Sequence, residues 1–380
     1  MRIAVYTDYP YHRQGESVYA ERAFVIFLAG LARHVDRLVV LGRLHPGAVR
    51  SSRLHYRLAP EIEFVPLPYY ETLARPRDAL ARMAGSLRVF WRELEGVDGV
   101  WLLGPHALCL LFAAAALARR KRVFLGVRQD LPRYVRSRHP NRRALHLAAD
   151  LLELSYRLLA IGCPTIVVGS GLAHSYRSAR RLLPISVTLV TESDLAAARK
   201  VRRSYAGELT ALSVGRLETE KNPLLLAEVI ATLDDRWRLV VCGEGPLEGE
   251  LRRRLEELGA DGRAELVGYL PLDAGLMDLY RRSHALLHVS WTEGVPQVLF
   301  EAFASTLPIV ATAVGGVREA VGDDALLVRP GDAGEPTRAL ERIAEDEELR
   351  DRLVTGGLER ARSRTLEAET ARVARFMATA

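Results

Sequence analysis

Two short stretches hold the side chains best suited to chemistry. In Ser290-Trp-Thr-Glu-Gly-Val-Pro-Gln-Val-Leu-Phe-Glu-Ala-Phe-Ala304, two carboxylates, Glu293 and Glu301, bracket a passage from loop to helix. Gly294 lets backbone approach a ligand and Pro296 suits the first helical position. The backbone from Gly294 through Val295, Pro296 and Gln297 to Val298 would then face outward as an anion site. Glu293 falls in the loop and Glu301 about one and a half turns inside the helix, so the two acids can meet different parts of one ligand. Equally, Glu293 is readable as an ordinary first-turn acid and Glu301 as a solvated helix residue.

The second stretch is Ser213-Val-Gly-Arg-Leu-Glu-Thr-Glu-Lys-Asn-Pro223. A strand ends at Gly215 and a helix opens with Asn222 as cap and Pro223 behind it. Arg216 and Lys221 thereby reach the carboxyl edge of a sheet, where open α/β folds bind ligands, and two cations there fit a diphosphate. The competing view is a solvated basic loop beside Glu218 and Glu220. Lys221 and Glu293 are both expected to be exposed rather than core.

Glycine turns follow two further strands, Gly243-Glu-Gly-Pro246 and Val314-Gly-Gly-Val317, and each would let a helix start close under a ligand. Gly243, Gly245 and Gly249 do not fit G-x-G-x-x-G, which disfavours a dehydrogenase, and the sequence shows no Asp-x-Asp for a metal. Near the start, Gln14-Gly-Glu-Ser-Val-Tyr19 is expected to join the first strand to a helix running to about Arg33. Gly15 could bring amides to a phosphate there, or could simply make the turn.

These loops must be positioned by a larger frame. Both halves alternate short β-rich apolar runs with helical patterns, the mark of βαβ units and parallel sheets. Strands are expected at 3–6, 38–41, 62–65, 100–103, 123–126 and 165–168, and again at 209–214, 238–242, 264–267, 285–289, 309–311 and 325–328. At 380 residues, two domains are the default. We expect an α/β protein of two Rossmann-like domains, 1–195 and 209–364, separated by a polar linker at 196–208 and facing one another across a cleft.

Charge is uneven. Residues 1–195 hold 28 Lys and Arg against 16 Asp and Glu, and the remainder 25 against 31, within a net +6. A basic half suggests an anionic partner. The three cysteines, Cys109, Cys163 and Cys242, have neither disulfide nor zinc spacing. The first apolar run is too short for a signal peptide and the longest uncharged stretch too short to span a bilayer, so the expected location is the cytoplasm.

Taken together, these residues resemble the family 4 (group 1) retaining glycosyltransferases of GT-B fold. The carriers are Gly215-Arg216-Leu217 with Glu220-Lys221-Asn222, Cys242-Gly-Glu-Gly-Pro246, Val267-Gly268-Tyr269, the Glu293-x7-Glu301 pattern with Gly294, and Gly315-Gly316-Val317-Arg318-Glu319. The resemblance implies a nucleoside-diphosphate-sugar donor such as a UDP-sugar, bound as a substrate with no cofactor and no metal. Arg216 and Lys221 would stabilise the departing diphosphate, Glu293 the donor sugar, and Glu301 the ribose hydroxyls. Gly15, Gly215, Gly243, Gly268, Tyr269 and Gly294 to Val298 would line the donor site. It also implies that the tail 365–380 crosses back to pack on the first domain.

The chain departs from that pattern in two places. Only one glycine follows Gln14, and where the family often places a histidine after the strand at 123–127 this chain reads Arg128-Gln-Asp-Leu131. Gln14, Arg128 and Asp130 therefore stand as the acceptor-side residues, and His106 and His174 read as structural or solvated. The acceptor itself is unassigned, with phosphorylated and lipid-linked molecules in view. The face formed by Leu80, Met83, Leu87, Phe90 and Trp91, with Arg82, Arg88 and Arg92 around it, could lie on an anionic membrane or face the core. The alternatives to sugar transfer are a GT-B-type sugar-nucleotide epimerase, a catalytically silent scaffold and a non-enzymatic anion- or nucleic-acid-binding protein. Nucleic acid is disfavoured because aromatic residues are not interleaved with the basic ones.

Overall fold

The computed structural model describes residues 1–47, 56–71, 76–198 and 201–380. The chain divides into two compact units, Met1–Val187 with Glu367–Ala380, and Thr188–Leu366. The described part of 196–208, expected as a linker, thus lies inside the second unit. Arg203 shows why, because its guanidinium donates to the carbonyls of Tyr280, Ser283, Ser305 and Thr306 and ties this polar segment down.

In the first unit the strands are β1 (Arg2–Gln14), β2 (Ser17–Ala20), β3 (Arg37–Leu44), β4 (Tyr56–Arg57), β5 (Glu63–Leu67), β6 (Gly99–Gly104), β7 (Arg122–Val127), β8 (Pro164–Val168) and β9 (Arg181–Ile185). The sheet runs β4-β2-β1-β6-β7-β8-β9, with β3 also on β1 and β5 on β3. All six strands expected here are found. The others carry weaker signals: β2 and β4 are very short, and β9 includes an Arg and a Pro, as edge strands do.

β1 departs from expectation. After Tyr6 its register against β3 shifts, and its second half pairs antiparallel with β2. Gly15, at φ +59, therefore makes a hairpin turn. The following helix begins only at Phe24 and ends at Ala32. Gly15 and Gln14 do not head a helix, so no helix-terminus amides are offered to a phosphate there.

The stripe on the helix Pro76–Glu93 turns inward. Phe90 is buried, and Met83 and Leu87 pack against the core. Trp91 stays exposed beneath the Arg119 guanidinium, 4.3 Å from its ring centre; the side chain of Leu80 lies outside the described residues. The amphipathic pattern here is that of a packed helix.

The second unit is an all-parallel sheet of β10 (Leu209–Val214), β11 (Trp237–Cys242), β12 (Ala264–Gly268), β13 (Ala285–His288), β14 (Ile309–Thr312) and β15 (Leu326–Val328), in the order β12-β11-β10-β13-β14-β15. Both faces are covered, as parallel sheets require. Leu209 and Ala211 enter one core while Leu212 enters the other. The pairing of Leu209 with Trp237 through Val214 with Cys242 brings the β10 and β11 carboxyl ends level. Gly215 and Gly243 therefore leave the sheet side by side.

The final helix, Leu366–Thr379, belongs from Glu367 onward to the first unit. Val373 and Met377 are fully buried. Ser186 N–H donates to Glu369 at 3.2 Å, and Arg122 reaches the carbonyl of Met377. Among the described residues no helix is long and apolar enough to cross a membrane. Because Met377 fills a closed site, Met377→Ala should destabilise the protein by ~2–4 kcal/mol, read as a lower urea midpoint at unchanged m.

Candidate functional site

The loop after β10 makes a single 3-10 turn, Thr219–Lys221, and Asn222 then takes a left-handed conformation, φ 51. This corrects the expected cap: Asn222 closes the turn, and Pro223 is the residue from which the helix Leu224–Thr232 departs. The turn is joined to the loop after β13, where Trp291 N–H donates to the Glu220 carbonyl at 2.9 Å. That bond sets Lys221 against Glu293, and Lys221 Nζ donates to Glu293 Oε1 at 2.5 Å. Ser290 Oγ donates to the same oxygen at 2.6 Å and His288 Nε2 lies 3.0 Å from it.

Glu293 is not the exposed residue expected from sequence. Its side chain is 8% exposed and that of Lys221 23%. Burial by itself would raise the Glu293 carboxyl, but the His288 contact and the Lys221 charge outweigh it and hold the group at about 2. Glu293 is therefore an anion at neutral pH. His288 and Ser290 were missed in the sequence; the available signal was two polar residues in alternation at a strand end, three and five positions before Glu293.

The glycines of these turns meet close backbone neighbours. A Cβ on Gly315, at φ +51, would stand 1.9 Å from the Glu293 carbonyl oxygen, and one on Gly316 2.2 Å from that of Gly294. Gly316 N–H donates to the Gly294 carbonyl at 3.0 Å. Gly243 likewise abuts the Gly215 carbonyl, and Gly245 that of Leu217. These glycines let neighbouring loops press backbone to backbone, Gly315 and Gly316 against Glu293 and Gly294, Gly243 and Gly245 against the start of the loop that carries Lys221. Gly243 N–H also donates to the Gly268 carbonyl, beside the exposed Tyr269.

Arg216 lies on the same loop as Lys221 and is half-exposed, resting on Glu218 at 2.5 Å and Glu220 at 3.1 Å. The helix Gln297–Ala304 starts one residue later than expected, with Pro296 as its cap. Val295 and Val298 pack partly on the core. Glu301, expected to be within reach of a ribose, is only 5% exposed, and Tyr280 donates to its Oε2 at 2.8 Å. Burial raises this carboxyl to about 7, against the pull of the Tyr280 hydrogen bond.

In the first unit, the residues expected on the acceptor side make the following contacts. Asp130 caps the helix Leu131–Arg138 by accepting from Arg133 N–H at 3.0 Å. Arg128 lies 4.7 Å over the Tyr9 ring and donates to its hydroxyl. Gln14 pairs with Ser17 in the hairpin, and His174 is exposed.

A further polar cluster of this unit forms where β1 breaks register. Asp8 accepts from Tyr70 at 2.7 Å, lies 3.2 Å from Arg43 Nε and 3.5 Å from His106 Nε2. His106 also contacts the hydroxyls of Tyr6 and Tyr70. Burial keeps its imidazole below the ordinary value, against the opposing charge of Asp8. Nothing in the linear order foretold this gathering of residues 6, 8, 43, 70 and 106.

Residues 196–360 match the family described as Glycosyl transferases group 1. The stretch contains the whole Lys221–Glu293 constellation. Among curated proteins, the chain is 30% identical over 166 residues to the GalNAc-alpha-(1->4)-GalNAc-alpha-(1->3)-diNAcBac-PP-undecaprenol alpha-1,4-N-acetyl-D-galactosaminyltransferase of Campylobacter jejuni, covering 42% of this chain and 45% of that one. It is 33% identical over 161 residues to the D-inositol 3-phosphate glycosyltransferase of Corynebacterium glutamicum, covering 40% and 38%. The chain thus spans less than half the length of these curated relatives. In three dimensions, it superposes on Anabaena HepE, solved in complex with UDP and glucose, with a TM-score of 0.71 at 16% identity over 100% of both chains. The fold is GT-B.

Two outcomes test the site. Glu301 binds its proton more tightly folded than unfolded, so its contribution to stability is full below about pH 4.5 and is lost as pH rises through about 7. Glu301→Gln should flatten that fall, which is on the order of 3 kcal/mol, in melting curves taken across this range. Gly315→Ala should destabilise by more than ~2 kcal/mol in urea titration, since both its φ and its neighbour oppose a side chain.

Proposed function

We propose that this protein is a retaining glycosyltransferase that moves a sugar from a nucleoside-diphosphate-sugar, a UDP-sugar in the first instance, to an acceptor hydroxyl without a metal. The observation that carries the reading is the buried Glu293 carboxylate, held anionic against Lys221, within a stretch that matches a glycosyltransferase family. An anion fixed in a low-dielectric setting is suited to a sugar that gains positive charge in the transition state. Lys221 and Arg216 supply the cations for the diphosphate that leaves.

The chemistry proposed is front-face substitution. The bond from the anomeric carbon to the diphosphate oxygen breaks, the acceptor oxygen bonds to the same face, and the acceptor's proton passes to the departing phosphate oxygen. No protein nucleophile is needed, so Glu293 acts by its charge. The acceptor is proposed to be phosphorylated or lipid-linked. The names of the two curated relatives, one with an undecaprenol-linked substrate and one with an inositol phosphate, support both classes. The protein would work in the cytoplasm with a peripheral contact to the membrane.

A thermal-shift screen of UDP-, GDP- and ADP-sugars should give one class of stabilising donors, worth about 2.7 kcal/mol at 100 times its dissociation constant. With that donor, Glu293→Gln and Lys221→Ala should each cut turnover by roughly 10²–10³, and EDTA should leave turnover unchanged. Wild-type turnover in either variant refutes the assignment.

A further inference from the structure

The helix Arg143–Gly162 lays one side on the first unit, burying Ala149, Glu153, Tyr156 and Ala160. Its other side is apolar too. Leu147, Leu151, Leu154, Leu158 and Ile161 recur at intervals of four, three, four and three residues, which is one helical stripe. Each is between 53% and 61% exposed. Scattered exposed leucines need no explanation, but five in one unbroken row form the kind of patch that marks an interaction surface.

The surrounding charges say what covers it. Arg142, Arg143 and Arg157 are exposed on and just before this helix, and Arg133, Arg136 and Arg138 are exposed on the helix Leu131–Arg138 packed against it. The acids of the long helix are already engaged: Asp150 pairs with Arg136 at 2.6 Å in a half-exposed ion pair, and Glu153 is buried and pairs with Arg157 at 2.9 Å. A second copy of the chain would bring arginine against arginine, with both acids already engaged. A layer of lipid phosphates over acyl chains answers the basic rim and the apolar row together.

We propose that this face of Arg143–Gly162 docks on an anionic phospholipid bilayer, the leucine row entering the headgroup boundary and the arginines meeting lipid phosphates. The helix lies in the surface and does not cross it. This deepens the peripheral contact of the proposed function and rests on that reading for its biological place. The test reads lipid binding rather than sugar transfer, so either can fail alone.

The full chain is sedimented with vesicles of phosphatidylcholine, with and without phosphatidylglycerol, across a salt series. We expect binding to the anionic vesicles that weakens with salt. Replacing Leu151, Leu154 and Leu158 together by serine should weaken partitioning at least about tenfold. Arg133→Gln with Arg143→Gln should weaken it by roughly fivefold per charge. Melting temperatures should hold in both variants, and the arginine variant keeps the proposal testable should the serine variant fail to fold. Equal vesicle binding by wild type and the arginine variant overturns the proposal. So does a wild type that ignores anionic vesicles, including one that sediments as a dimer dissociated by the serine substitutions, which would assign the face to a second copy.

Discussion

A carboxylate taken out of water costs several kcal/mol unless charge and hydrogen bonds answer it, and Glu293 is answered three times on a single oxygen. Lys221, Ser290 and His288 converge on Oε1 from two loops and one strand end. Those loops can meet only because backbone touches backbone: Trp291 to Glu220 across the pair, Gly315 under the Glu293 carbonyl. Much of the second unit reads as support for this contact. The pairing of β10 with β13 delivers the two loops from neighbouring strands, and Gly315 and Gly316 let backbone close against Glu293 and Gly294.

The two acids of the Glu-x7-Glu pattern end in opposite electrostatic states. Both are buried, and burial pushes both carboxyls upward. Glu293 has the His288 hydrogen bond and the Lys221 cation beside it and falls to about 2; Glu301 has a tyrosine hydroxyl and rises to about 7. One environment keeps a permanent charge and the other a group poised to lose its proton near neutrality. The difference lies wholly in the neighbours, since the residue type is the same.

The first unit divides its polar residues in a similar way. Asp130 and Arg128 are engaged in a helix cap and a stacked tyrosine, whereas Asp8, Arg43, Tyr70 and His106 meet at the point where β1 changes partner. On its outer side, the helix Arg143–Gly162 keeps a leucine row in solvent beside arginines. The helix Pro76–Glu93, with the clearer amphipathic pattern, turns its apolar face inward.

Periodicity made the frame legible. Each of the twelve expected strands is present, and the central ones, such as β6 and β13, are buried throughout and read as continuous apolar runs, a local property. Residue type and loop position likewise marked Lys221, Glu293 and Arg216, since glycine, cation and acid after a strand are constraints of the chain itself. What the chain could not declare was which side chain meets which. His288 and Ser290 acquire meaning only when Lys221, some seventy residues earlier in the sequence, arrives opposite Glu293. Glu301 becomes a buried near-neutral acid only through Tyr280 on another helix. The Gly15 turn depends on β1 finding β2, and the fate of each amphipathic helix on what the rest of the unit has left uncovered. Local sequence therefore determined the elements and the chemical types at their ends. Pairing, burial and protonation are properties of neighbours distant in the chain, and only the tertiary structure decides them.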